Sequence, residues 1–542
     1  MVKLCVLRNV AGLLALSAVL APAGGVNVEM ADGNAAAETA ALYYYLRQIE
    51  QSENVLYGHQ NEYTSKVATW LGGASDTYDM VRDNAAVFGV DALALTGAEL
   101  GPFGQDKAAS ARRFEKLMDI SRKAAANGSI ISLSCHMPNF AKVFAKGKNS
   151  AYAYGYDFSG YTPNDLSGDV ARRITPEGDL HAVYTAYLDM VADYIAALEK
   201  EHISVLFRPF HECDGGWFWW GSASCPPSVL KILFRSTVEY MRDVRGLHNI
   251  IYAYGPSTTF TSTADYALYY PGDEYVDIIG FDMYHVLPKE GDGWMADLSQ
   301  KLAVLEDFAA SHGKVAALTE LGISGNAGGA GGILPEGNPR KKWFTEVLDV
   351  LSSHKVAYFL TWANFSMEQC YEPYIKADGT EHEMAVDFRS FFNDRRSVFA
   401  SQIGDYRLQD GDASSPFARQ LSGTAVTATH SEAVSGYIVA PLEDDRLLDA
   451  FTFKARVYGK AKKLRFRLYD ASETLLAELK AGVKDGNASA TLPGKKLASF
   501  GKRKGRVELV DCSGKNPVVL DSVTVLYNVP FIKRVPDMGA ML

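Results

Sequence analysis

Long apolar runs are scarce in this 542-residue chain. After the stretch from Val10 to Leu20, none approaches the ~20 uninterrupted apolar residues that a membrane-spanning helix needs, so no membrane partner is expected. Positive charge is short as well. Lys and Arg number 54 against 64 Asp and Glu, for a formal net charge of -10 at pH 7, and the basic footprint of a nucleic-acid binder is missing. Cysteine is rare, at six. Cys5 lies in the leader segment described below, and the remaining five, an odd number, do not form a disulfide framework. Cys213 and Cys225 flank a tryptophan-rich loop, where a staple and two free thiols both stay open. A zinc signature is absent too: His211-Glu212 begins like H-E-x-x-H, but Gly215 stands where the second histidine is required. Neither a metal nor an organic cofactor is expected.

The length exceeds one ordinary domain. Lys3 and Arg8 precede the apolar run, and Ala21-Pro22-Ala23 offers small residues at the spacing a signal peptidase needs. Residues 1–23 are therefore read as a secretory signal and the protein as secreted or periplasmic, acting as a monomer. Across 38–405, short apolar runs alternate with amphipathic helical patterns, the signature of parallel β/α units. Strands are predicted over 55–58, 92–96, 130–134, 205–210, 250–254, 278–283, 315–319 and 357–362. Eight is the count of a closed (β/α)8 TIM barrel, an α/β fold. Residues 416–542 carry short alternating strands broken by turns and read as a C-terminal all-β sandwich-like module with a structural or spacer role.

In β/α barrels the active site lies at the C-terminal ends of the strands, which promotes the polar residues closing them: His59, Glu99, His136, Glu212, Asp282, Glu320 and Asn364. The segment from Val205 to Gly221 stands out, a buried strand leading into His211, Glu212 and then Trp217, Phe218, Trp219 and Trp220. Carboxylates beside clustered indoles suit a sugar, which must be both stacked and cleaved. Glu212 and Glu320 end strands four and seven, which face each other across the barrel mouth, and two converging carboxylates are the minimum equipment for glycoside hydrolysis. Apolar surroundings favour the protonated form of Glu212, whereas Glu320 needs a polar, hydrogen-bonded setting. Glu99 is the rival carboxylate but has no flanking aromatics.

The run R-P-F-H-E-C-D-G-G-W-F-W-W-G from Arg208 to Gly221, with T-E-L-G at Thr319 to Gly322 and G-F-D-M-Y at Gly280 to Tyr284, resembles glycoside hydrolase family 26, mainly endo-β-1,4-mannanases. The resemblance covers roughly 40–400 and implies retaining hydrolysis of a β-mannan. It implies Glu212 as acid/base and Glu320 as nucleophile, with Arg208, His211, Trp217, His136 and Trp362 around the substrate and Tyr284 hydrogen-bonded to the nucleophile. No residue read here senses the axial 2-hydroxyl of mannose. Mixed-linkage β-glucan and β-1,3-xylan therefore stay open as substrates, as does a noncatalytic carbohydrate-binding role.

Overall fold

The computed structural model describes residues 30–67, 75–325 and 331–403, together with nine strands between 417 and 527 and the residues at 462 and 474. The predicted signal at 1–23 lies outside the described residues. Among these residues, no helix is long and apolar enough to cross a membrane.

Eight parallel strands, β1 (Val55–Gln60), β2 (Val87–Asp91), β3 (Ile130–Ser134), β4 (Val205–Arg208), β5 (Ile250–Tyr254), β6 (Ile278–Val286), β7 (Val315–Ser324) and β8 (Tyr358–Thr361), pair in chain order. The barrel closes where β1 pairs with β8 on one side and β2 on the other. Because β2 joins β1 only from Gly58 onward, the lower part of that seam is filled by the two-residue strand Ser397–Val398, paired with Val55 and Leu56. No length of β1 is left as an open edge. Strands of such a barrel are covered on both faces, which is why they read as continuous apolar runs rather than alternating ones.

One predicted strand is displaced. Residues 92–96 are not in the sheet: β2 is Val87–Asp91, in register with β1 and β3. Leu93–Thr96 instead forms a single helical turn, opened by Asp91 Oδ1 accepting from the Leu93 amide at 2.9 Å and ended by Gly97 at φ 80°. Both segments are apolar, and the partners decide between them. The strands expected to end at 210 and 362 also stop earlier, at Arg208 and Thr361.

The helix Ala37–Glu50 closes the lower end of the barrel. Its Leu42, Tyr43, Tyr45, Leu46 and Ile49 pack against strand-start residues including Leu56, Val87, Ile130, Leu206, Ile251 and Val315. Glu50, the last residue of that helix, is buried and accepts from the Ala316 amide of β7 at 2.8 Å. Burial lifts its carboxyl from 4.5 to about 7, against the pull of Arg47. The folded protein therefore keeps a proton that the unfolded chain releases above pH 4.5, and stability is lost as pH rises from there to about 7. Glu50→Gln keeps the acceptor and removes the charge. It should leave thermal unfolding near pH 4.5 unchanged and stabilise the fold above pH 7 by up to about 3 kcal/mol, at ~1.4 kcal/mol per pKa unit; calorimetry at pH 4.5 and 8.5 checks both.

The C-terminal strands are all antiparallel. They form one sheet in the order Phe417–Leu421, Val518–Tyr527, Ala450–Tyr458, Asn487–Pro493, Leu475–Lys484, Lys463–Asp470, Lys504–Asp511 and Ala433–Val439, with Val426–Ala428 also paired to Val518–Tyr527. The link between Leu475–Lys484 and Asn487–Pro493 is short, Val483 with Ala488 and Lys484 with Asn487.

Candidate active site

The loop after β4 carries the first carboxylate. The strand stops at Arg208 because Pro209 brings no N–H to the ladder. Phe210 and Glu212 then adopt left-handed backbone, at φ 54° and 53°, a conformation that costs side-chain-bearing residues ~1–3 kcal/mol each and is held only by its surroundings. Here the Glu212 amide is tied to the Gly255 carbonyl of the next strand's loop at 2.8 Å. The chain then folds back, and the Trp217 indole N–H donates to Glu212 Oε2 at 2.6 Å. Gly215 permits this, since a Cβ there would lie 2.4 Å from the Trp217 ring. Trp217 is 44% exposed, whereas Trp219 and Trp220 both turn inward, donating to the carbonyls of Met137 and His211.

The second carboxylate owes its placement to a bulge. Phe281 of β6 faces Leu318 of β7, but the next residue, Asp282, faces Glu320, so β7 carries one extra residue, Thr319. The same extra length appears against β8, between Leu318 and Leu321. Such bulges re-aim side chains next to active sites. Thr319 and Glu320 consequently both point into the barrel: Thr319 Oγ1 donates to Asp282 Oδ1 at 2.7 Å, and Glu320 accepts from Arg208 and from the hydroxyl of Tyr284. Asp282 and Tyr284, two apart on β6, share the inward face by the period of a strand.

Arg208 lies beneath this group, 2% exposed, donating to Asp282 Oδ2 at 2.6 Å and to Glu320 Oε2 at 2.8 Å. Expected among the residues around the substrate, Arg208 here directs Nη1 and Nη2 at two carboxylates. Burial works against the Arg208 cation, but Asp282 and Glu320 outweigh it and hold it charged. Oxygens of Glu212, Asp282 and Glu320 lie within 4.8 Å of one another. The two glutamates nevertheless differ. Glu320 accepts from a guanidinium and a phenol, whereas Glu212 has only the indole N–H. Loss of water, then the charges of Glu320 and Asp282, push the Glu212 carboxyl well above the ordinary range.

His136 and His211 form the adjoining wall, their Nε2 atoms 3.2 Å apart, with Trp362 half-buried and its ring 5.5 Å from that of His136. Phe218 and Tyr161 also border His136. Of the other strand-end residues, Glu99 stands at the cleft margin, where burial and Asp91 raise it to about 7. His59 and Asn364 are buried behind the β1 and β8 ends. Asn364 accepts from the amides of Tyr371 and Glu372, and His59 Nδ1 meets Glu62 at 2.9 Å. His59, Glu62 and Glu372 form a second close cluster, but its oxygens already accept from Ser75, Thr77, Asn84 and Tyr57, a donor-filled set that suits hydrogen-bonded carboxyls rather than a cation. The same holds around Glu320. Cys213 and Cys225 are free and buried, so the loop has no staple.

Tyr161, beside the His136 ring, carries no strand-end or motif signal in the sequence, and two further site residues lack an assigned contact there. Asp282 was in the strand-end set without a role, and Asp91, bonded to His136, was hidden by the displaced β2.

Residues 31–325 match the profile of Glycosyl hydrolase family 26. A mannan endo-1,4-beta-mannosidase of Bifidobacterium adolescentis is 30% identical over 468 residues, 83% of this chain and 42% of that protein. A Bacillus subtilis enzyme of the same name is 35% identical over 164 residues, 29% of this chain and 41% of its own length. The chain thus spans less than half the length of these curated relatives. Among solved structures, the catalytic domain of an endo-beta-1,4-mannanase from Bacillus sp. JAMB-750 superposes with a TM-score of 0.61 at 33% identity, covering 70% of this chain and 96% of that one. A modular endo-beta-1,4-mannanase of Cellulomonas fimi gives 0.59 at 29%, covering 86% and 94%. This chain belongs to glycosyl hydrolase family 26.

Proposed function

We propose that the protein is a retaining endo-β-1,4-mannanase, acting on mannan, glucomannan or galactomannan outside the cytoplasm. The observation that carries the mechanism is a pair of carboxyl groups in different surroundings, Glu320 bonded to a guanidinium and a phenol and Glu212 to an indole N–H, with an oxygen of each within 4.8 Å. Retaining enzymes place the two carboxyls ~5–5.5 Å apart, and inverting ones ~6.5–9.5 Å, to admit a water. Glu320, accepting from the Arg208 guanidinium and the Tyr284 hydroxyl, is the nucleophile, and Glu212, whose carboxyl burial and the charge of Glu320 push above its ordinary range, is the acid. Because the Trp217 N–H occupies Oε2 of Glu212, its acid proton sits on Oε1. Attack of Glu320 on the anomeric carbon breaks the glycosidic bond as that proton passes to the leaving oxygen. A water then gives its proton to Glu212 and displaces Glu320, with net retention.

The mannan assignment rests on the printed activities of the relatives. It is tested by reducing-sugar release and viscosity loss on galactomannan, glucomannan, lichenan and β-1,3-xylan. Viscosity falling ahead of reducing ends on the mannans alone is the expected result. Release confined to lichenan or xylan would keep the mechanism and overturn the substrate, and binding without turnover would return the noncatalytic reading.

A further inference from the structure

Behind the catalytic carboxyls runs a chain of three buried groups, Asp91 at the end of β2, His136 after β3 and His211 after β4. Asp91, 1% exposed, accepts from Ser134 Oγ at 2.7 Å, from the Leu93 amide at 2.9 Å, from the His136 amide at 3.1 Å and from His136 Nδ1 at 2.9 Å. With so many donors it is a carboxylate, and burial fails to keep it from being lowered by His136. Nδ1 of His136 therefore carries a proton. The 3.2 Å contact between Nε2 of His136 and Nε2 of His211 needs one more, which comes either from a His136 imidazolium or from a neutral His211. The charges decide. Asp91, Glu320 and Glu99 all face His136, and together they raise it although burial alone would lower it. Burial, His136 and Arg208 hold His211 well below its ordinary value. The rings of Tyr161, Phe218 and Trp362 also border His136.

We propose that Asp91 is a positioning residue for the proposed reaction: it holds His136 as an imidazolium that donates to His211, fixing the His211 ring beside Glu212 and a positive charge on the cleft wall. Among the described residues the His211 ring has no other hydrogen-bond partner, since its Nδ1 is buried without one, and the rings of Phe218 and Trp220 pack against it. Because His211 immediately precedes the left-handed Glu212, a rotation of that ring is passed to the acid. The inference rests on the assignment of Glu212 as the acid.

The test is Asp91→Asn, which keeps the shape and removes the charge, read in two ways. In the wild-type protein labelled with 15N-histidine, at pH 6.5, His136 should show two protonated ring nitrogens and His211 one, with the assignments made from His136→Gln. In Asp91→Asn the second His136 proton should be gone. On mannan, kcat/KM of the variant should fall up to ~10²-fold, the cost of a small misplacement of an active group, and, with the cation beside Glu212 gone, its alkaline limb should move to higher pH while thermal unfolding shows a folded protein. A neutral His136 in the wild type overturns the proposal, as does a variant whose pH profile keeps the wild-type shape. Should the wild type hydrolyse none of the polysaccharides, the functional reading fails while the nitrogen spectra still decide the charge on His136.

Discussion

Glu320→Ala should abolish polysaccharide hydrolysis, lowering kcat by roughly 10⁴–10⁶-fold, the scale seen when a covalent catalyst is removed. The fold should survive, because Arg208 keeps its 2.6 Å bond to Asp282 and β7 keeps its pairing. The substitution also relieves a crowded site. Three acidic side chains crowd one guanidinium, and removing Glu320 eases the repulsion that it exerts on Glu212 and Asp282. Thermal unfolding should therefore be unchanged or later, as expected where a functional site stores unfavourable charge. The specific check is chemical rescue. Azide, small enough to enter the space left by the carboxylate, should restore turnover of an aryl β-glycoside with a good leaving group, forming the C1–N bond as the phenolate departs. The product should be the α-glycosyl azide, since azide enters from the face that Glu320 served. Undiminished hydrolysis of mannan by Glu320→Ala would remove it as the nucleophile.

How much of this site is legible in the sequence depends on what fixes each residue. Glu212 and Glu320 close strongly apolar runs, and a strand-end carboxylate in a β/α barrel has only one place to be. Asp282 and Tyr284 follow from the same logic, two residues apart on one strand face. What the pattern hides is whatever depends on partners. The apolar segment from Val87 to Thr96 contains both β2 and a helical turn, and since a buried parallel strand shows no alternation, only pairing with β1 and β3 tells them apart. That displacement moved the strand end from Asp91 toward Glu99 and concealed the residue beneath His136. The bulge at Thr319 is likewise silent, because period-two reading puts Thr319 and Glu320 on opposite faces, whereas the extra residue turns both inward. Trp219 and Trp220 show a third limit. Neighbouring indoles need not divide between core and solvent when the loop coils, and here both are buried against Phe210, Phe218 and Phe140.

Glu212→Ala should separate the two halves of the reaction. On mannan, whose leaving group is a sugar hydroxyl, loss of the acid should cost about 10²–10⁴-fold in rate. On an aryl β-mannoside with an acidic phenol the first step needs no proton, so Glu320 should still be glycosylated. The second step then lacks its base, and the glycosyl-enzyme should accumulate, visible as a burst of phenol and as added mass on the intact protein. Azide should speed this variant too, but here it attacks the intermediate from the acid's side and gives the β-glycosyl azide, the opposite anomer from that of the Glu320 variant. The pH dependence carries the same logic. Burial and the charge of Glu320 raise the folded-state pKa of Glu212, so the acid is present at low pH and lost as pH climbs through that value, giving the wild-type enzyme an alkaline limb that Glu212→Ala should lack. Once Glu320 is esterified by the sugar its charge is gone, and with it the second-largest cause of that rise. Glu212 then becomes easier to deprotonate at the stage when it must act as a base. A Glu212→Ala enzyme that retained the alkaline limb on mannan, or formed the α-azide, would place the acid elsewhere, with Glu99 the next carboxyl to examine.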